Sequence, residues 1–540
     1  MRKRFSIWPP DFIMNRILHE VSGSLCIVLL VSACQFRVPK DPYTLIQNLG
    51  SEPDVLNAVL WTSQSENIIV STIYEPLIGL DNETLAFKPV LAERWEVSPD
   101  HRQYTFYLRH DVKWHDGTPL TADDVVYTME KIMDPKVDAG PIRSSYVDVL
   151  KTEKLDDYTV RFTYRIPYFR ALVVLGGLQI IPKHVFNDGT DFNQHPANRA
   201  PVGTGPYRFV RWKTGRYLQL ERFENYWGKK PDIRRLQFRI IPSGAVALQL
   251  LKKGELDRMD LGTLMWVKQT KTPAFEKNFT RHRYPTVADG YTFMGWNLQR
   301  APFDDKKVRQ AMAYLLDLPE MAQKMFFDLW MPATGPAAPQ TKDSDATLSV
   351  RPYDPQKAKK LLAEAGWLDH DGDGWLDKSG QRFHFALLSP AGSVPYEKII
   401  SVFRQNLRAI GIDVELRQLE WVAFTREIDQ HQFDAVILTY TRAYPTDLYQ
   451  IWHSSQIKGG SNFVGFNNFQ VDRLLEQARQ EFDDAKRAGL NREMHRILYD
   501  EQPYFFLFNT MAMEAVHNRF QNVKEYLVGM DIVEWKVATP

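Results

Sequence analysis

The chain has 540 residues, of which 44% are hydrophobic and 25% charged, and its formal net charge is +1. These values are typical of a globular protein with room for several domains, and the near-zero charge gives no sign of a nucleic-acid partner. The chain has two cysteines, Cys26 and Cys34, which excludes a disulfide framework and a cysteine metal site. The aromatic content of 13% is explained mostly by a large core, although flat rings also suit a binding cleft.

The first 33 residues are expected to form a signal peptide and are set aside from the fold. The apolar run LCIVLLV at residues 25–31 is too short to span a bilayer. VSAC at residues 31–34 resembles a lipobox, which implies cleavage before Cys34, acylation of its thiol and attachment to a membrane from outside the cytoplasm. Cleavage at another site and a simple anchor are the alternatives. Met14 is a second candidate start, because translation from it gives a signal peptide of ordinary length.

Residues 34–42 are expected to form a short tether that contains Pro39 and Pro42. Gln35 follows Cys34 at the position where an Asp signals inner-membrane retention in many Gram-negative bacteria. The absence of that Asp favours the outer membrane if the organism has one, and the outer face of the plasma membrane is the alternative.

The stretch at residues 87–128 predicts the order strand, turn, strand, turn and capped helix. SPDH at residues 98–101 is typical of a turn, because Pro presets φ while Ser and Asp bond nearby backbone groups. Apolar residues alternate with polar ones over residues 104–108, which predicts a strand with one apolar face. Thr121 is the predicted N-cap of the following helix, with Asp124 completing an acidic variant of the capping box.

Three sequence runs in this stretch carry a resemblance to a known family: LAERWEVSPD at residues 91–100, YTFYLR at 104–109 and VKWHDGTPLTADDV at 112–125. They resemble the signature of the extracytoplasmic solute-binding proteins of family 5, the dipeptide- and oligopeptide-binding subunits of ABC importers. The resemblance extends from about residue 43 to the C-terminus. Further runs that resemble family landmarks are IIPKHVF at 180–186, PVGTGPYRF at 201–209, NYWGKKP at 225–231, GELD at 254–257 and FMGWNL at 293–298.

The resemblance implies an α/β fold of the periplasmic binding protein-like type II class, with two lobes, a hinge and an extra domain. It implies three discontinuous domains: domain I at residues 43–78, 205–300 and 505–540, domain II at 79–204, and domain III at 301–504. It also places the segment at residues 201–209 near the hinge that connects the lobes.

Five candidate ligand contacts follow from the resemblance. Thr62, Ser63 and Tyr74 belong to a region that borders the cleft in the family, with ordinary capping and packing as the alternative for each. Trp296 and Asn297 lie where the first and third domains are expected to join.

A second set of candidates follows from strand order. Predicted strands at residues 383–388, 411–416 and 433–438, with a helix at 396–407, are typical of a parallel sheet with helical crossovers. Ligands of such sheets lie at the carboxyl ends of the strands. The residues at the end of the third strand are therefore further candidate ligand contacts: Tyr440, Thr441, Arg442 and, at the end of the loop, Asp447.

The loop after Tyr440 departs from the pattern of the family's peptide binders. They often place an Asp there to hold the peptide's α-ammonium, and the matching residue in this chain is Ala443. An unpaired buried charge is costly, so the usual clamp for a free amine is in doubt. Arg442 is a candidate for an anionic ligand group, bound bidentately, and an exposed Arg without a ligand is the alternative. Asp447 suits a different geometry for holding the amine.

DHDGDGWLD at residues 369–377 has partial calcium-loop spacing. Asp369, Asp371 and Asp373 match the first ligands of an EF-hand loop, and Asp377 matches its ninth position. The twelfth position, which needs a bidentate Glu, is Gly380. Bound calcium and an Asx-stabilised turn both remain open, and no other cofactor is predicted.

The sequence contains no HExxH, GxSxG, P-loop or CxxC motif, so nothing in it predicts an enzyme. The leading hypothesis is a monomeric, lipid-anchored binding protein of an ABC importer, located in the periplasmic space. It captures peptides or peptide-like solutes and delivers them to permease subunits. The alternatives are a non-peptide solute such as a sugar, an opine or a metal chelate, a periplasmic hydrolase, and an adhesin or chaperone-like lipoprotein without a ligand.

Overall fold

The structure is a computed structural model that describes residues 41–287, 289–442 and 444–538. The predicted signal peptide with Met14, the lipidation candidate Cys34, most of the tether, and Ala443 lie outside the described residues.

The first of three main sheets has seven strands. Their spatial order is Phe279–Tyr284, Ala512–His517, Arg258–Asp260, Thr44–Asn48, Arg235–Arg239, Tyr217–Arg222 and Tyr207–Lys213. The strand predicted to begin the fold is Thr44–Asn48, and it runs parallel to both of its neighbours. Its central position explains the burial of Leu45.

The second sheet is antiparallel and has four strands. Their order is Ala92–Val97, Gln103–Leu108, Thr159–Tyr164 and Val149–Asp156. The predicted alternation is confirmed, since Tyr104, Phe106 and Leu108 are buried. The predicted helix is also confirmed: it spans Ala122–Met133, and the Thr121 N–H donates to the Asp124 carboxylate at 2.9 Å.

The third sheet has six strands in the order Met331–Pro332, Tyr504–Asn509, Gly290–Trp296, Ala435–Thr441, His384–Pro390 and Asp413–Leu419. The last three are parallel to one another, as the crossover pattern predicts. Gly290–Trp296 and Tyr504–Asn509 pair within this sheet, so the sheet crosses the boundaries predicted at residues 300 and 505. The domain boundaries remain a prediction.

Helices cover the three sheets. Those of seven residues or more are Gln64–Ile73, Ala122–Met133, Gly244–Lys252, Lys306–Met312, Leu318–Phe326, Pro355–Glu364, Val394–Ala409, Trp421–Asp429, Phe469–Gln480 and Asp484–Glu501. Shorter α-helices are Gly140–Arg143, Ala171–Gly176, Lys183–Phe186, Pro273–Glu276 and Tyr449–Trp452. Paired short strands are Ile78–Leu80 with Phe87–Pro89, Asp377–Lys378 with Gln381–Arg382, and Phe520–Gln521 with Lys536–Val537.

Separate hydrophobic clusters form the core. One joins the seven- and four-stranded sheets and contains Leu45, Phe106 and Phe238. Another packs helices on the six-stranded sheet and contains Trp296 and Phe403. Two packed layers around each cluster give a mixed α/β architecture.

Candidate functional site

The chain passes between the seven-stranded and six-stranded sheets at two adjacent linkers, whose described residues are 285–287 with 289, and 510–511. We call residues 290–509 the second lobe and the remaining described residues outside the linkers the first lobe. The Thr510 N–H donates to the carbonyl of Gly290, the residue that follows the first linker, at 3.1 Å, so the two linkers lie side by side. The prediction of a hinge near residues 201–209 is therefore wrong, because that segment packs against the end of helix Gln64–Ile73 within the first lobe.

Arg442 anchors the linker region through its guanidinium. Its guanidinium is buried, and its pKa is lowered to about 10 because burial disfavours the charged form. It donates to backbone carbonyls and one amide oxygen, which are those of Asp289, Gly290, Pro336, Ala337 and Asn509. The alternative of an exposed Arg is therefore wrong, and Arg442 as a ligand contact remains a prediction.

Asp447 belongs to a contact between the two lobes. The Tyr168 hydroxyl donates to its carboxylate at 2.8 Å, and Arg479 lies 3.2 Å from the same oxygen. The Arg479 guanidinium also stacks over the Tyr168 ring at 4.5 Å. We call Tyr168, Asp447 and Arg479 the interlobe latch. Because both Asp447 oxygens already have partners, this carboxylate is engaged by protein groups.

Two further contacts lie beside the latch. The Phe169 N–H donates to the Arg479 carbonyl at 2.9 Å, and His101 stacks on Phe482 with ring centroids 3.7 Å apart. Each joins the part of the first lobe that carries the four-stranded sheet to the helices of the second lobe. The lobes therefore touch here as well as at the linkers.

The five candidates taken from the family resemblance have structural roles. Ser63 is the N-cap of helix Gln64–Ile73 in a capping box with Glu66, and the Thr62 N–H donates to the Glu66 carboxylate at 2.7 Å. The other three side chains are buried: Tyr74 and Trp296 pack in the core, and Asn297 donates to the carbonyls of His431 and Phe433. As ligand contacts they remain predictions.

The structure brings Tyr440 and Thr441 together in a cavity of about 530 Å³. It extends along helix Trp421–Asp429 from the first residue to the last and reaches the end of strand Ala435–Thr441, which is the carboxyl edge favoured by ligands of parallel sheets. All of its lining residues belong to the second lobe. The lining residues are Trp421, Phe424, Thr425, Ile428, Asp429, His431, Leu438, Thr439, Tyr440, Thr441, Ile457, Gly459, Gly460, Ser461 and Phe463. The volume is in the range of small-molecule sites.

Hydrogen bonds fix the polar groups of this cavity. The Tyr396 hydroxyl donates to the Thr439 hydroxyl at 2.8 Å, and Thr292 lies 2.7 Å from the same oxygen. The ring nitrogens of His431 face the carbonyls of Phe463 at 2.7 Å and Ile457 at 3.0 Å. His431 thereby holds the loop that forms one wall, and burial raises the pKa of Tyr440.

Large apolar side chains are exposed at the carboxyl edges of both parallel sheets. On the second lobe, Val394 is 53% exposed, Trp421 55% and Val422 60%; on the first lobe, Val246 is 51% exposed and Leu264 45%. Singly exposed apolar residues are common on protein surfaces, and Trp421 is the one of these five that also lines the cavity. Trp421 was missed from the sequence, although it follows the strand Asp413–Leu419 directly and the rule that selected Tyr440 applies to it equally.

The acidic loop brings three of its four candidates together. Carboxylate oxygens of Asp369, Asp371 and Asp373 lie within 4.8 Å of one another. Asp377 instead bonds to His370 at 3.0 Å, and Asp369 accepts N–H bonds from the turn at Gly372 and Gly374. These are the bonds of an Asx-stabilised turn, and calcium binding remains a prediction.

Comparison with known proteins identifies the family. The model of the bacterial extracellular solute-binding proteins, family 5 Middle, matches residues 86–462. The chain belongs to this family. It is 31% identical over 489 residues to the oligopeptide-binding protein AppA of Bacillus subtilis, covering 88% of each chain. It is 26% identical over 545 residues to the dipeptide-binding protein of Escherichia coli, covering 95% of this chain and 97% of that one.

Solved structures share the architecture of this family-5 protein. AppA from Bacillus subtilis in complex with a nonapeptide matches with a TM-score of 0.79 at 28% identity, covering 92% of this chain and 99% of that one. NikZ from Campylobacter jejuni in complex with Ni(L-His) matches with a TM-score of 0.78 at 24% identity, covering 92% and 100%. The fold is thus of the periplasmic binding protein-like type II class, and the protein is an extracytoplasmic binding protein rather than an enzyme.

No helix among the described residues is both long and apolar enough to cross a membrane.

Proposed function

We propose that this family-5 protein is the lipid-anchored, monomeric capture subunit of an ABC importer, binding peptides between its lobes and handing them to a permease. The observation that carries the proposal is the cavity of about 530 Å³ on the second lobe, which reaches the carboxyl end of strand Ala435–Thr441 and is lined by the exposed Trp421. An exposed Trp beside hydroxyl groups suits peptides, because the ring gives contact area at little entropy cost and the hydroxyls bond amide groups.

The two-linker arrangement supports capture by closure. Adjacent linkers act as a hinge, since few backbone torsions have to change for the lobes to move. A solute touched by both lobes stabilises the closed form only, so binding shifts the equilibrium towards it. The interlobe latch then contributes to the same closed form without touching the solute.

Peptides are favoured as the solute by the 31% identity to an oligopeptide-binding protein. A non-peptide solute is the second candidate, because Ala443 stands where the family's peptide binders often have an Asp. A sugar, an opine and a metal chelate are the classes to compare.

The lipid anchor is proposed from the VSAC run that ends at Cys34. It is tested by labelling cells with an alkyne fatty acid and comparing the wild type with Cys34→Ser. Label on the wild type alone supports the anchor, and an unlabelled wild type contradicts it.

Native mass spectrometry of the mature, unlipidated protein purified from its host tests the peptide proposal. Denaturation releases any bound solute for identification. Released peptides, reduced in occupancy by Trp421→Ala, are the expected result. A released sugar or metal chelate, or a wild type that binds no peptide in a subsequent thermal-shift screen, contradicts it.

A further inference from the structure

Asp429 is an acidic side chain in the cavity that the fold does not use. It is the last residue of helix Trp421–Asp429, it is exposed, and it lines the cavity. Glu427 on the same helix pairs with Arg417 at 3.1 Å. Within the part of the chain that the structure describes, Asp429 forms no ion pair with any Lys, Arg or His.

Helix stability does not explain an acidic residue at this position. The C-terminal end of a helix carries partial negative charge, so a carboxylate there is unfavourable and a cation favourable. Arg426, in the last turn of the same helix, supplies such a cation, and it forms no ion pair with Asp429 in the described part of the chain. The Asp429 carboxylate therefore places a negative charge at the cavity wall that a cationic ligand group would neutralise.

None of the other cavity groups pairs with this carboxylate. His431 directs both of its ring nitrogens at backbone carbonyls, those of Ile457 and Phe463, so it forms no pair with Asp429. The remaining lining residues are uncharged hydroxyl, apolar and glycine residues together with Tyr440, and burial raises the pKa of that phenol, which keeps it neutral.

The apolar wall of the cavity fits the stem of a cationic side chain. Phe424 and Ile428 precede Asp429 on the same helix and line the cavity with it. Lys and Arg side chains lay their methylene groups along such surfaces while the charged head reaches a polar partner.

We propose that this cavity binds a cationic group of the peptide, with Asp429 as its counter-ion and Phe424 and Ile428 as the apolar wall beside its stem. The inference rests on the proposed peptide function and adds a charge preference to it. The shared chemistry is an ammonium or guanidinium group, which a peptide supplies from a Lys or Arg side chain or from its α-amino group. Asp429 would give the chain an acidic partner for a ligand cation, although Ala443 stands where the family's peptide binders often have an Asp.

The test uses synthetic nonapeptides with the full mature chain and isothermal titration calorimetry. In one arm, a single Lys or Arg is scanned along a neutral sequence and compared with norleucine or citrulline at the same position. In the second arm, the α-amino group is acetylated. A charge-assisted bond that is lost weakens binding on the order of tenfold, so one position or the acetylated end is expected to show that loss.

Variants of the protein test whether the weaker binding of peptides without the cation depends on Asp429. Asp429→Asn is expected to remove the preference for the cationic peptide, and Asp429→Lys to favour a peptide with Glu at the same position. Glu427→Gln is the matched control, because it removes one negative charge from the same helix outside the cavity. Thermal melting of each variant verifies folding.

The possible outcomes distinguish a failure of the cationic subsite from a failure of the proposed peptide function. Peptides that bind equally well with and without the cation overturn the subsite and leave the peptide function standing. A preference that survives in Asp429→Asn also overturns it. Failure to bind any peptide overturns both.

Discussion

Tyr168→Phe removes one hydroxyl from the interlobe latch and leaves the ligand cavity unchanged. The lost bond is the 2.8 Å hydrogen bond to the Asp447 carboxylate, and both side chains are largely buried. A hydrogen bond to a charged group contributes about 1.5–3 kcal/mol. Because about 1.4 kcal/mol corresponds to a factor of ten, the ratio of closed to open protein is expected to fall roughly 10- to 150-fold.

The lower ratio of closed to open protein also lowers the affinity for the ligand. When only the closed form binds fully, the apparent Kd is the intrinsic Kd divided by the closed fraction. We therefore expect the Kd of Tyr168→Phe for a peptide to rise by up to the same factor, with the order of preference among peptides unchanged. Calorimetry measures the Kd, and small-angle scattering of the ligand-free protein measures the shift towards the open form.

Tyr164→Phe is the matched control for this prediction. The Tyr164 ring lies 6.3 Å from the Tyr168 ring, and its buried hydroxyl has no hydrogen-bond partner in the described part of the chain. It should leave both Kd and radius of gyration at wild-type values. If Tyr168→Phe behaves like this control, the latch does not stabilise closure.

Three further predictions concern stability and metal binding. Arg442→Lys keeps the charge but loses the forked donors, and we expect urea unfolding to show a loss of about 3 kcal/mol or more; a value as small as that of the exposed control Arg426→Lys would contradict the anchoring role. Burial raises the pKa of Glu75 to about 7 from the ordinary 4.5, so its stabilising contribution is complete below pH 4.5 and is lost as pH rises through 7. The free energy of unfolding of the wild type should therefore fall relative to that of Glu75→Gln by up to about 3 kcal/mol between about pH 5 and pH 8. Parallel pH profiles of the two proteins would refute the raised pKa of Glu75. If the acidic loop binds calcium, calorimetry should show uptake that Asp371→Asn weakens, and a wild type without heat of binding contradicts the calcium prediction.

Elements with strong local patterns could be predicted from the sequence. The helix capped at Thr121 and the strand at Gln103–Leu108 depend on neighbouring residues, and both were confirmed. The parallel strands of the second lobe followed from the alternation of apolar runs and helices. The same carboxyl-end rule found Tyr440 and Thr441, and it would have found Trp421 had it been applied to every strand.

The roles of Arg442 and Asp447 could not be predicted, because their partners are distant in the chain. Arg442 bonds to a carbonyl 106 positions away, and Tyr168 reaches Asp447 across 279 positions. Sequence spacing places such side chains near a strand end but does not reveal whether they face solvent, a linker or the other lobe. The hinge was misplaced for the same reason, since its two linkers meet only after both sheets have formed.

A crystal structure of the protein with a peptide that it binds would show directly whether the peptide lies between the lobes. We expect electron density for the peptide there, in contact with Trp421 and the cavity that contains Tyr440 and Thr441. Density at another surface, or an empty cavity beside a bound peptide, would contradict it.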